Sequence, residues 1–153
     1  MYNKQEASAA RQKFWTRYGQ YMAPVPSASG KKVNWVNYKT GIKGIAFRTD
    51  ADNNRAYTAV EISLPDKMLQ HQYFDIFCSF SASFEKAAGP GWDMHRSFVT
   101  EDGKEISRIS VEINGINIFR ESDWTQIIPF LKERIRGLDA FWNDYKPAFE
   151  MVI

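Results

Sequence analysis

The apolar residues of this chain repeat with a helical period in three segments and with a strand period in two, and the two kinds alternate. No other feature constrains the fold as much. In residues 4–22, Ala7, Ala10, Phe14, Tyr18 and Tyr21 recur at helical spacing, while Lys4, Arg11, Lys13 and Arg17 fall mostly elsewhere. Ala23-Pro24-Val25-Pro26-Ser27-Ala28-Ser29-Gly30 then breaks the helix into a loop. Beyond it the period drops to two. Trp35, Val36 and Tyr38 predict a short strand, and Ile45 and Phe47 alternate with Ala46 and Arg48. Residues 55–64 set Ala56, Thr58, Val60, Ile62 and Leu64 against Tyr57, Ala59, Glu61 and Ser63. A turn over Asp50-Ala51-Asp52-Asn53-Asn54 joins these strands into a hairpin.

The helical period returns after Pro65-Asp66, a proline and an acid suited to the positive end of a helix. Leu69, Tyr73, Ile76, Phe77, Phe80 and Phe84 predict one long stripe that stops near Gly89-Pro90-Gly91. A second hairpin follows, from Trp92 to Thr100 and from Lys104 to Ile113 around Glu101-Asp102-Gly103. Asn114-Gly115 signals a tight turn, after which Ile116 to Phe119 adds a further short strand. Ser122 or Asp123 caps the last helix, whose apolar face is Trp124, Ile127, Ile128, Leu131, Ile135, Leu138, Trp142 and Tyr145. Pro129 removes one backbone hydrogen bond near its start, and Lys146-Pro147 ends it. The order helix, hairpin, helix, hairpin or meander, helix predicts one α+β domain over residues 1–153. In it an antiparallel sheet of about four to five strands packs on helices.

Composition fits such a domain: 44% of residues are hydrophobic and 25% charged, enough to bury a core without staples. The single cysteine, Cys78, permits no internal disulfide. Met1-Tyr2-Asn3-Lys4-Gln5-Glu6 reaches no apolar signal region, and no stretch approaches the ~20 apolar residues that span a bilayer. The expected location is the cytoplasm, with no membrane partner. Net charge is only +2, but it is unevenly spread. Residues 1–60 hold ten basic side chains against three acidic, a net +7, and residues 61–153 hold ten against fifteen, a net −5. Such asymmetry points to a polyanion-binding face or to a paired partner.

The catalytic motifs are incomplete. There is no phosphate-binding glycine loop and no dinucleotide fingerprint. Gly41-Ile42-Lys43-Gly44 matches the four-residue clamp of the KH fold, but that clamp joins helices and here the flanks alternate like strands. Cys78, His71 and His95 are too few and badly spaced for zinc, and no cofactor is called for. His71 and Asp75, four apart on a helix, read as a solvated face. Asp50 followed by Glu61-Ile62-Ser63 has the acids of a restriction-type nuclease without its lysine. Arg48, Glu61, Arg108 and Glu112 all fall on polar strand faces and are placed for cross-strand ion pairs.

The strongest candidate is the basic and aromatic segment that holds Lys31, Lys32, Trp35, Tyr38, Lys39, Lys43 and Arg48. Its cations suit phosphates and its rings suit stacked bases. The same pattern also suits a soluble edge strand protected from aggregation.

Three stretches resemble an uncharacterised bacterial family, domain of unknown function 4268. They are Phe14-Trp15-Thr16-Arg17-Tyr18-Gly19-Gln20-Tyr21-Met22, Asn34-Trp35-Val36-Asn37-Tyr38-Lys39-Thr40-Gly41-Ile42-Lys43-Gly44-Ile45, and Asn117-Ile118-Phe119 with Leu138-Asp139-Ala140-Phe141-Trp142. The resemblance covers nearly the whole chain. In longer relatives such a domain is attached to restriction-nuclease-like domains, which implies an accessory role in nucleic-acid processing or defence. It brings no catalytic residues.

The expected function is therefore a non-catalytic nucleic-acid-binding or nuclease-accessory module, with DNA, RNA or a nuclease-like protein as partner. One alternative is a protein-interaction or self-association module, a homodimer by default, if Trp15, Met22, Phe130 and Phe141 form an exposed patch. The other is a metal-dependent enzyme or small-ligand binder in which Asp50, Glu61, Arg108 and Glu112 meet in a pocket.

Overall fold

A computed structural model describes residues 3–152, so Met1 and Tyr2 of the N-terminal stretch lie outside the described residues. Its elements are α1 (Lys4–Met22), β1 (Ile45–Ala51), β2 (Arg55–Ile62), α2 (Lys67–Ser79), α3 (Ser81–Ala88), β3 (Asp93–Val99), β4 (Glu105–Asn114), a 3-10 turn (Glu121–Asp123) and α4 (Trp124–Glu150). The strands form one antiparallel sheet in the order β1-β2-β4-β3. This is the expected α+β architecture with four strands.

Side-chain alternation divides the sheet into two unlike faces. Ile45, Phe47 and Ala51 of β1 lie beside Ile62, Val60 and Ala56 of β2, which face Ile109 and Val111 of β4, and all are buried. The helices cover this face: α4 packs on β1 and β2, α2 on β2 and β4, and α1 and α3 on α4. The other face carries Arg48, Asp50, Tyr57, Glu61, His95, Arg108 and Glu112. Among the described residues no helix is long and apolar enough to cross a membrane.

The helix starts follow from local chemistry. Asn3 and Glu6 form a reciprocal cap on α1, with the Glu6 amide donating to Asn3 Oδ1 (2.8 Å) and Asn3 Nδ2 to Glu6 Oε1 (3.0 Å). The Asp66 carboxylate accepts from the amides of Met68 and Leu69 (3.0 and 3.2 Å). Gly137 sits in the middle of α4, where glycine costs about 1 kcal/mol against alanine. The close approach of α3 explains it, since a Cβ there would lie 2.5 Å from Ala88 Cα and 2.7 Å from the Ala87 carbonyl oxygen.

The structure corrects several expectations. Trp35, Val36 and Tyr38 form no strand. Asn34 Oδ1 accepts from the Val36 and Asn37 amides (3.1 and 3.0 Å), so an Asx turn takes the groups a ladder would need. Ile116 to Phe119 forms no strand either: the Ile118 amide donates to the Asp52 carbonyl (3.1 Å), and Asn117 Oδ1 accepts from the Phe119 amide (2.8 Å). The predicted long stripe is two helices that part at Phe80, where Ser79 Oγ donates back to the Ile76 carbonyl (2.8 Å).

β1 runs through Asp50 and Ala51, and the turn is made by Asp52, whose Oδ1 accepts from Asn54 and Arg55 (both 2.8 Å). Asp123 precedes α4 but makes no side-chain cap, because Oδ2 accepts from the Asn117 amide (3.0 Å) instead. α4 continues through Pro147 to Glu150. Phe149 holds that last turn, fully buried against Phe77, Trp142 and Tyr73.

Candidate nucleic-acid interface

Residues 23–44 connect α1 to β1 with no regular helix or strand, an uncommon length for such a segment in a compact domain. Buried polar contacts tie the segment to α4. Asp139, itself buried, accepts from the Ala28 amide through Oδ2 (2.7 Å) and from the Tyr38 hydroxyl through Oδ1 (2.5 Å). Trp142 Nε1 donates to the Thr40 carbonyl (2.8 Å), and Trp35 Nε1 donates to the Val25 carbonyl (3.0 Å).

These anchors position the rings of the predicted segment. Trp35 is only 4% exposed, and Tyr38 is half-buried with its ring stacked on Phe47 (5.2 Å between centroids). Trp35 belongs to the core, and Tyr38 packs against it with its hydroxyl spent on Asp139. Lys31, Lys32, Lys39 and Lys43 are exposed, and among the described residues none of them forms an ion pair. Arg48 points to the opposite side of the sheet and pairs with Glu61 (2.7 Å).

The pinned segment walls a groove that the sequence did not suggest. One concavity, of about 540 Å³, is lined by Tyr21, by Pro26, Ser27 and Ala28 of the segment, and by Lys132, Glu133, Arg136 and Asp139 of α4. A second, of about 470 Å³, adjoins it through Tyr21 and Pro129 and adds Arg17, Glu121, Trp124, Thr125 and Ile128. Helical spacing explains the lining. Arg17 and Tyr21 lie four apart on α1, and Thr125, Pro129, Lys132 and Arg136 follow at three or four on α4.

Charge in the groove is uneven. Arg17, Lys132 and Arg136 make no salt bridge among the described residues. Glu121 is taken by Lys13 (3.0 Å), and Asp139 is spent on Tyr38 and Ala28, which leaves Glu133 as the opposing charge. Lys31 adjoins the groove, since its carbonyl accepts the Ser27 hydroxyl. Tyr21 is 43% exposed, the most exposed Phe, Tyr or Trp ring of the described residues, and Lys132 Nζ lies 5.2 Å from its centroid.

A family profile described as Domain of unknown function (DUF4268) matches residues 10–146. The chain belongs to this family. The matched range of the DUF4268 domain runs from α1 into the last turns of α4 and includes every groove residue named above. No curated protein and no solved structure matches the chain.

The open face of the DUF4268 sheet has its own concavity, of about 560 Å³, where Asp50, Glu61, Arg108 and Glu112 do meet. Their charges are largely spent on one another. Arg48 and Arg108 both reach Glu61 (2.7 and 3.5 Å), and Arg55 reaches Glu112 (3.0 Å). Arg108, 8% exposed, lies between the rings of Tyr57 and Phe98 (4.8 and 4.9 Å to the centroids). Burial holds the Tyr57 phenol above its ordinary range, with Asp50 and Glu61 adding to the effect and Arg108 opposing it. Among the described residues no group of three or more His, Cys, Asp or Glu side chains is placed to hold a metal ion.

The four residues on which the self-association alternative depends form no exposed patch. Met22 and Phe141 are each 1% exposed, and Trp15 and Phe130 pack against the core.

Proposed function

We propose that this domain is a non-catalytic nucleic-acid-binding module and that the α1–α4 groove is its phosphate-binding surface. The observation that carries this reading is the convergence of Arg17, Lys132 and Arg136 on one groove without carboxylate partners. Unpaired Lys31 and Lys32 lie on the adjoining segment. A cation already paired gains little from a phosphate, whereas a free one releases a condensed counterion when the phosphate arrives. The family's company with nuclease-like domains accords with an accessory role in which this domain holds nucleic acid while a partner acts on it. The cytoplasm is the matching location.

The test is a fluorescence-anisotropy titration of labelled DNA and RNA oligonucleotides at several salt concentrations. Three to five phosphate contacts on a single strand give a slope of log affinity against log salt of about −2 to −3.5. That is a loss of roughly 15- to 130-fold between about 50 and 200 mM salt. Binding to none of the oligonucleotides at the lowest salt contradicts the proposal.

A further inference from the structure

We infer that the groove takes single-stranded nucleic acid, with one base stacked on Tyr21 in place of the Lys132 ammonium; the inference rests on the nucleic-acid reading above. The ring stands where the two concavities join, so a base on it has phosphate-binding cations on either side. Arg17 lies on one side and Arg136 on the other. Each concavity is of a size that suits a small ligand, and a nucleotide fits that scale. Among the described residues no other ring stacks on Tyr21, and the Lys132 ammonium stands over its ring, 5.2 Å from the centroid, on a flexible side chain that can be displaced. Once displaced, the same ammonium serves the neighbouring phosphate. The groove therefore exchanges a weak cation–ring contact for a base–ring contact and a phosphate contact.

Duplex bases are already stacked and cannot reach a ring held between two helices. An unpaired base can be splayed onto it, and such stacking tolerates any base because every base has a π-face. Lys132 and Arg136 sit one helical turn apart on α4, about 6 Å along its axis. That spacing lets successive phosphates of an extended strand meet successive cations. Pro129 adds a polar handle, because it has no N–H to give the carbonyl of Thr125, a lining residue, an i+4 donor.

The experiment compares wild type, Tyr21→Ala and Tyr21→Trp against three probes: a twelve-residue oligothymidine, a duplex of the same length and long-chain inorganic polyphosphate. Oligothymidine and duplex are read by anisotropy and polyphosphate by isothermal titration. The expected result is tighter binding of oligothymidine than of duplex. Tyr21→Ala weakens oligothymidine binding about 10-fold or more. It leaves duplex and polyphosphate binding unchanged, and Tyr21→Trp restores the single-strand preference. Equal binding of strand and duplex that Tyr21→Ala does not alter overturns the inference while the phosphate-binding reading stands. Binding of none of the three probes overturns both. Tyr21 is exposed, so thermal melts of the variants matching wild type keep a loss of binding from being read as a loss of fold.

Discussion

The α1–α4 groove and the open face of the sheet are both rich in arginine, lysine and carboxylate, yet they differ in how those charges are used. On the sheet, Arg48, Arg55 and Arg108 each reach a glutamate, and two of them share Glu61. In the groove, Arg17, Lys132 and Arg136 reach none among the described residues. The sheet face spends its charge on holding itself together, whereas the groove cations stand without carboxylate partners among the described residues, which is what the proposed phosphate-binding role requires. Net charge along a sequence cannot separate these cases, because pairing is a property of the fold. Lys132 and Arg136 belong to the segment that carries net −5, while Arg48 of the basic segment is neutralised by Glu61.

This contrast can be broken by substitution. The largest effect is expected at the groove wall. Asp139→Ala strips the acceptor from the Ala28 amide and the Tyr38 hydroxyl, which should lower stability by about 3 kcal/mol in urea denaturation. It should also raise hydrogen exchange in residues 23–44; an effect below about 0.5 kcal/mol would show that the segment is held by other contacts. Next comes Glu61→Ala, which leaves the nine-tenths buried Arg108 without its carboxylate. A loss of about 2 kcal/mol is expected, less than for a fully buried pair because Glu61 is partly open to solvent. Nucleic-acid affinity should not change, and a parallel fall in affinity would mean that the sheet face belongs to the binding site.

The double change Lys132→Glu with Arg136→Glu should do the reverse. Arg136 is exposed and Lys132 half-buried over Tyr21, so stability should fall by no more than about 1 kcal/mol, while affinity falls at least about 10-fold. The smallest effect concerns pH. Tyr38 is held protonated above the ordinary phenol range, first by burial and then by the Asp139 hydrogen bond and charge. Burial raises Tyr18 likewise. A raised folded pKa means that the folded state keeps its proton more tightly. This stabilisation is therefore whole below the unfolded value near pH 10 and declines as pH rises beyond it. In an absorbance titration these phenols should ionise only as the protein unfolds, and Tyr38→Phe, though less stable near neutral pH for want of the Asp139 hydrogen bond, should lose less stability between neutral and alkaline pH than wild type. Early ionisation of every tyrosine in the folded protein would contradict the burial described.

Much of the fold could be read from the sequence because it rests on short-range rules. The period of two in Ala56, Thr58, Val60 and Ile62 assigns a strand and its buried face together, and the same alternation anticipates the Glu61 pairs with Arg48 and Arg108. What could not be read depends on contacts between distant residues. Trp35 and Tyr38 look like binding rings until Val25 and Asp139, the latter about a hundred residues on, claim their polar ends. Pro147 reads as a helix end because its neighbours cannot show that Phe149 will be buried beyond it. Tyr21 fits the apolar stripe of α1, so its exposure was invisible. A signal for the groove did exist in the four-residue spacing of Lys132 and Arg136, but only the packing of α1 on α4 gives it a ring and a wall.

The most direct test of the central claim is the salt-dependent titration of a labelled single strand with three proteins: wild type, the Lys132→Glu/Arg136→Glu variant and Glu61→Ala. The account predicts a steep salt slope for wild type, an unchanged slope for Glu61→Ala, and for the groove variant a slope shallower by about 1.4, the share of two phosphates. Equal slopes and affinities for all three would place the binding charges elsewhere and contradict the groove as the site.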